Sequence, residues 1–348
     1  MKKIKVLIID DSALIRQLLS QGLALDNEIE IVGTAIDPYN ARDKIVELHP
    51  DVLTLDVEMP KMDGVQFLKK LMPQYPIPVI MVSSLTEKGK KITLDALEAG
   101  AIDFITKPKA DLVNGMNKML NDLVKKIKIA STVDVSHWKG KKRTVIKRLE
   151  ADNSLDESTH KIIAIGASTG GTEAIKQVVA KFPATFPGVV IVQHMPAGFT
   201  KMFADKLNSL CAMEVKEAEE GDIITPGKIL IAPGDHHLEV KRSGGLYRAI
   251  LHKKDKVSGH RPSVDVLFKS VAEHVGKNAI GVILTGMGRD GADNLLTMRD
   301  AGARTIAQDE KTSVVYGMPR EATINGGAEY SLPIDKIAEK VKCLLSKI

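Results

Sequence analysis

The stretch IIAIGASTGGTEAI, residues Ile162 to Ile175, decides how the larger half of this chain is read. It opens with an uncharged apolar run that suits a buried strand, passes through small residues, and resumes with helix formers. Strand, tight turn and helix in that order are the repeating unit of an open parallel α/β sheet. The start of such a helix presents unpaired backbone N–H groups and a positive dipole end. The one serine in the turn, Ser168, therefore has two physically sensible uses: a nucleophile on a sharp corner, or part of a loop that cradles a phosphate. The ends of the neighbouring strands must decide between them.

Working outward, GVVIVQHM, KILIAPG and AIGVILTGMG read as further strands, and their near-continuous apolar character suits a sheet covered on both faces. The first half repeats the pattern: IKVLIID, EIVGTAI, DVLTLDV, PVIMVSS and AIDFITK alternate with helical stretches such as SALIRQLLSQGLAL. Five strands with intervening helices indicate a doubly wound parallel sheet. After a last helix in NGMNKMLNDLVKKIKIA, polar and charged residues dominate from Ser131 to about His160. The expected organisation is α/β, two doubly wound parallel-sheet domains at residues 1–125 and 160–348, joined by a basic, polar linker at 126–159. A length of 348 residues gives each domain enough chain for its own core.

An apolar share of 44% and a charged share of 27% are those of a globular protein, and no apolar run approaches the roughly 20 residues that cross a bilayer. Cys211 and Cys343 complete neither a disulfide framework nor a zinc pattern, and the short apolar run after Lys5 meets Asp10 and Asp11 too soon for a secretory signal. A cytoplasmic location is the expectation, with no direct insertion into a membrane. Residues 121–160 carry nine basic and six acidic side chains with Trp138 as their one aromatic, a composition that favours a solvated linker over a nucleic-acid surface.

In open parallel sheets, function collects beyond the carboxyl ends of the strands. In the first half those ends carry Asp10 and Asp11, Asp56, Ser83 and Ser84, and Lys107 before Pro108. Singly, each is an ordinary polar cap. Together, three carboxylates and a lysine would repel at a cost unless a cation joined them, and magnesium suits oxygen ligands and a phosphoryl substrate. A carboxylate in that setting can act as nucleophile and form an acyl phosphate. The motifs IIDDSALIRQLL, DVLTLDVEMPKMDGVQFL and FITKP resemble the flavodoxin-like receiver domain of two-component response regulators. The resemblance implies Asp56 as phosphoacceptor, and a Mg2+ site formed by Asp11 and Asp56 with Asp10 beside them and the Glu58 carbonyl. It also implies Ser83 and Lys107 as phosphoryl contacts, and a histidine kinase as phosphodonor.

The serine turn fails both phosphate-loop patterns. No lysine follows the glycines at GxxxxGK[ST] spacing, and GxGxxG is broken by Ala167 and Ser168 after Gly166. The next strand ends in His194, where a ribose-binding acid would be expected, and the strand AIGVILTGMGRDGA leads to Asp290 at the same rim. Taken singly, the histidine reads as structural and the aspartate as a turn residue. Jointly they supply an alkoxide precursor, an imidazole base and a carboxylate to orient it, so the nucleophile reading leads. The chain order Ser, His, Asp differs from the α/β-hydrolase order Ser, Asp, His.

The motifs AIGASTGGTEAI, VQHMPAGFT, IAPGDHH, HRPSVDVLF, LTGMGRDGA and AQDEKTSVVYGMPREA resemble the Rossmann-like catalytic domain of the protein-glutamate methylesterases of bacterial chemotaxis. The resemblance implies Ser168 as nucleophile, His194 as base and Asp290 as its orienter. It also implies the Met287 N–H as oxyanion donor, Thr169 beside the substrate, and no cofactor for the ester chemistry. Methyl-accepting chemotaxis receptors are the implied substrate, a monomer is expected, and nucleic acid is not expected as a partner. Arg261 and Ser263 are expected to line the substrate groove. Asn294 departs from the motif, which has glycine there, and this is expected to touch a helix start and no catalytic group.

Overall fold

A computed structural model describes residues 2–84, 86–108, 112–140 and 160–347. The chain divides into two compact units, Met1–Arg143 and Thr144–Ile348.

In the first unit, β1 (Ile4–Ile9), β2 (Ile29–Ala35), β3 (Val52–Asp56), β4 (Val79–Ser83) and β5 (Asp103–Thr106) form one parallel sheet in the order β2-β1-β3-β4-β5. Position in that order sets burial: every residue of the inner strands β3 and β4 is buried, whereas the edge strand β2 is buried only at its two end residues. Side chains cap the intervening helices. Asp37, Asp63 and Thr86 accept from the N–H three residues on, at 2.8, 2.7 and 2.9 Å. The chain reverses its direction of travel across the sheet at β1, so the carboxyl ends of β1 and β3 flank the crevice where such folds place function.

The linker begins later than its composition suggests. The helix Leu112–Ala130 carries Lys126 to Asp103 and Lys128 to Asp26 and Glu28, so two of the three lysines of the KKIK run form ion pairs within this unit. Gly100, at φ 108°, is set so close to the Trp138 ring that a Cβ there would meet it at 2.9 Å, and the Gly140 N–H donates to the Pro73 carbonyl. Polar composition marked this segment as linker, but one aromatic ring and one backbone bond attach it to the receiver-like unit. The rest of the expected linker, 141–159, lies outside the described residues.

In the second unit, seven strands form a parallel sheet, β6 (Ile162–Ala167), β7 (Gly188–Gln193), β8 (Glu214–Glu217), β9 (Lys228–Ile231), β12 (Ala279–Ile283), β13 (Arg304–Gln308) and β14 (Tyr330–Leu332). Their order is β14-β13-β12-β6-β7-β9-β8. The strands β10 (His237–Ser243) and β11 (Leu246–His252) form a separate antiparallel hairpin. The central strands β6, β7 and β12 are buried at every residue. From β6 the chain winds outward on one side through β7, then returns to build β12 on the other, so the switch point lies between β6 and β12. Ser168 follows β6, His194 follows β7, and the Gly286–Asp290 loop follows β12. The three expected catalytic residues thus leave adjacent strands on one rim. Among the described residues, no helix is long and apolar enough to cross a membrane.

Candidate functional site

The acid cluster of the first unit is assembled. Carboxylate oxygens of Asp10, Asp11 and Asp56 lie within 4.8 Å of one another. The Lys107 Nζ sits 2.8 Å from Asp10 Oδ2 and 3.0 Å from Asp56 Oδ2. Burial pushes the Asp56 carboxyl up to about 6; the Lys107 charge opposes this and the Asp10 charge adds to it. Burial also works against the charged lysine, but the Asp56 charge and the bond to Asp10 hold Lys107 above its ordinary range. Three carboxylates against one ammonium leave uncompensated negative charge, which an oxygen-ligated divalent cation fits. The Glu58 carbonyl accepts no hydrogen bond among the described residues, while its carboxylate accepts from Ser84 Oγ at 2.9 Å. Ser83 is different. Its hydroxyl is fully buried, accepts from Thr93 Oγ1 at 2.6 Å and donates toward the Ser84 and Gly89 carbonyls, with no bond into the cluster. Contact with a phosphoryl group requires it to exchange those partners.

In the second unit the small-residue turn is a backbone requirement. Gly170 stands at φ 75°, a conformation that L side chains rarely adopt, and caps the helix Gly171–Val179. Close approach on the other side requires Gly286, where a Cβ would lie 2.8 Å from that of Ser168. The Ser168 N–H donates to the Thr285 carbonyl at 3.0 Å, and the His194 N–H to the Ala167 carbonyl at 3.2 Å. The buried Gln193 amide spans the two strand ends, donating to the Ser168 carbonyl at 2.9 Å and the His194 carbonyl at 3.3 Å. Ser168 and His194 are therefore held next to one another through the backbone.

His194 Nε2 lies 2.7 Å from Asp290 Oδ2. Asp290 is 1% exposed and accepts three further bonds: from Ser263 Oγ at 2.7 Å, the Val264 N–H at 2.7 Å and the Asp265 N–H at 3.2 Å. Burial alone would raise its pKa, but the His194 bond and charge, with Ser263 and Val264, outweigh it and hold the carboxyl down at about 2. An ionised carboxylate only accepts, so the imidazole nitrogen that meets it, Nε2, is the donor, which leaves Nδ1 as the second ring nitrogen. That Nδ1 is buried and has no hydrogen-bond partner. The Ser168 hydroxyl likewise makes no side-chain hydrogen bond among the described residues, so the carboxylate–imidazole link is closed and the imidazole–serine link is open. Catalytic bonds of this kind commonly tighten only with substrate bound. The half-buried Met287 has a backbone N–H that donates to no group among the described residues, beside the nucleophile turn. The half-buried Thr169 turns its carbonyl inward to the Thr285 hydroxyl at 3.0 Å.

One expectation for the HRPSVDVLF segment is corrected. Ser263 is fully buried and binds Asp290 rather than lining a groove, because the helix Val264–His274 starts against that carboxylate. Arg261 is turned to Asp235 Oδ1 and to the Lys253 and Lys254 carbonyls, all at 2.6–3.1 Å. A residue not singled out in the sequence, His260, lies flat on His194 with ring centroids 3.8 Å apart and planes 8° from parallel. Its only sequence signal was its place beside Arg261 in that motif. Asn294 lies in the first turn of the helix Ala292–Asp300, and its amide donates to Asp265 Oδ1 at 2.9 Å. It therefore braces a buried carboxyl next to Asp290. The adjacent His236 and His237 diverge, one toward the Gly234 carbonyl and the other toward the Asp255 carbonyl.

Residues 163–341 match the family model of CheB methylesterase, and residues 6–117 match that of the response regulator receiver domain. The chain is 62% identical to a protein-glutamate methylesterase/protein-glutamine glutaminase of Syntrophotalea carbinolica, over 99% of each. It is 51% identical to one of Salmonella typhimurium, over 99% of this chain and 98% of the relative. Among solved structures, the CheB methylesterase catalytic domain of Thermotoga maritima aligns at a TM-score of 0.52 and 43% identity, covering 54% of this chain and 98% of that one.

Proposed function

Given that this chain belongs to the CheB methylesterase family and carries a response-regulator receiver domain, we propose that it hydrolyses glutamate methyl esters on methyl-accepting chemotaxis receptors, with receiver phosphorylation controlling the rate. The same chemistry on a receptor glutamine would yield glutamate and ammonia. The observation that carries this reading is the bond of 2.7 Å from His194 Nε2 to a fourfold-held Asp290, on the rim that also bears Ser168.

Ser168 Oγ attacks the γ-carbonyl carbon of the ester while His194 Nδ1 takes the hydroxyl proton. Asp290 stabilises the resulting imidazolium without taking its proton. Negative charge collects on the former carbonyl oxygen, where the Met287 N–H and the nearby helix start are the available donors. The imidazolium returns the proton to the methoxy oxygen, methanol departs, and Ser168 is left as the acyl-enzyme. Water then attacks that acyl carbon, His194 takes the water's proton and gives it to Ser168, and the receptor leaves with a free glutamate carboxylate on its side chain.

In the receiver domain, an Asp56 carboxylate oxygen attacks the phosphorus of the phosphodonor, whose leaving group departs with the bonding electrons. Lys107 screens the incoming charge, and Ser83 turns from Thr93 to a phosphoryl oxygen. A Mg2+ ion held by Asp10, Asp11, Asp56 and the Glu58 carbonyl would neutralise the phosphoryl oxygens. The substrate places this chemistry at receptor arrays.

The decisive experiment is methanol release from methylated receptor by Ser168→Ala. Loss of turnover by about 10⁴ to 10⁶-fold is expected. Near-normal release would show the serine reading to be wrong.

A further inference from the structure

Within the second unit, the segment joining β11 to the helix Val264–His274 is exposed from Lys253 to Gly259, yet its backbone is heavily bonded. The His237 Nε2 donates to the Asp255 carbonyl at 3.0 Å. The Arg261 guanidinium donates to the Lys253 and Lys254 carbonyls at 3.1 and 3.0 Å, while its other nitrogens grip Asp235 Oδ1. The Asp235 N–H closes the clamp on the Arg261 carbonyl at 3.3 Å. At the tip, Val257 and His260 exchange both backbone bonds across a two-residue turn in which Ser258 stands at φ 52° and Gly259 at φ 80°. Positive φ at both central positions is the tight primed turn, and Ser258 adopts it without the freedom of a glycine. Such restraint on a solvent-exposed loop with little apolar burial points away from core packing as its purpose. The residue that leaves the turn inward is His260, whose ring covers the face of His194.

From this arrangement we infer that His260 is a positioning residue: its imidazole, delivered by the clamped turn, fixes the plane of the His194 ring so that Nδ1 stays aimed for proton transfer from Ser168. This rests on the serine mechanism proposed above. The bond to Asp290 fixes one ring nitrogen but leaves the ring free to pivot about it. A flat neighbour at 3.8 Å removes that freedom, because any pivot out of the plane drives His194 into the second ring. Proton transfer falls steeply with misalignment, so an unsupported base loses turnover while substrate binding is little changed.

The test uses the full chain with methylated receptor and follows methanol release for His260→Ala, His260→Phe and Ser168→Ala, all checked for folding by circular dichroism. His260→Ala is expected to lower kcat by about 10 to 100-fold with KM changed by less than about 3-fold. His260→Phe, which keeps a flat ring, is expected to recover most of that loss. In 15N-histidine-labelled protein, the His194 Nε2–H resonance should broaden through exchange with water in the alanine variant and remain sharp in the phenylalanine variant. An alanine variant with unchanged kcat overturns the inference, as do equal losses in both His260 variants with the resonance intact. Wild-type turnover in Ser168→Ala would instead overturn the underlying mechanism, whereas an inactive Ser168→Ala beside an unimpaired His260→Ala removes only the role of His260.

Discussion

Asp56 is the last residue of a central strand and Asp290 lies in the loop after one, in two separate parallel sheets, and they are 4% and 1% exposed. Their acidities nevertheless move in opposite directions, up to about 6 for Asp56 and down to about 2 for Asp290. Burial penalises the charge in both, so the neighbours decide. Asp290 collects an imidazole N–H, a hydroxyl and two backbone N–H groups. Asp56 receives the Val57 N–H and a share of one ammonium, and it faces the Asp10 carboxylate. The proposed roles fit this contrast: an orienter that stays ionised would need to be saturated with donors. A phosphoacceptor would be left short of them, so that a cation and the incoming group could supply what is missing.

The contrast predicts unequal responses to the same isosteric change. Asp290→Asn should lower kcat for methanol release by about 10⁴-fold, because the amide can donate to Nε2 and stabilise the wrong tautomer. Circular dichroism should show the fold retained. Asp56→Asn should leave the basal esterase rate alone and abolish any response to a small phosphodonor; a variant that still responded would break the assignment of Asp56 as phosphoacceptor. Removing a single donor is milder: Ser263→Ala should cost about 1–3 kcal/mol in thermal or denaturant unfolding, since it strips one bond from a buried charge. Its effect on kcat should be at most about tenfold if the other three donors hold Asp290 in place.

The smallest effect concerns acid stability. Because the folded carboxyl of Asp290 titrates near 2 and the unfolded one near 3.8, the folded state binds its proton less readily. Its stabilising contribution is therefore complete above about pH 4 and is lost as pH falls toward 2. Denaturant midpoints measured across that window should show a step that is absent from Asp290→Asn.

Much of this arrangement was legible in the sequence, for a reason particular to parallel sheets. The central strands are apolar throughout because both faces are covered, so β6, β7 and β12 stood out, and the polar residues ending them marked the rim. Edge strands carry no such mark: β8 reads EVKE and β14 is three residues long. The hairpin β10–β11 had a usable sign in Gly244–Gly245 between two alternating runs, at φ 59° and 82°, but it belongs to no parallel pattern. Within the site, Ser168, His194 and Asp290 followed from strand ends. The partners Ser263 and His260 did not, because both are carried by a connection from the hairpin to a helix, and only packing brings that connection to the rim.

The helix Val264–His274 has no side chain of its own to satisfy its first N–H groups; Asp290, from a loop 26 residues further along the chain, serves them instead. Folding and turnover consequently make the same demand on one position. A lineage that dispensed with the esterase would still be penalised for losing this acid, so persistence of aspartate at 290 is weaker testimony to activity than persistence of serine at 168, whose hydroxyl bonds to nothing among the described residues.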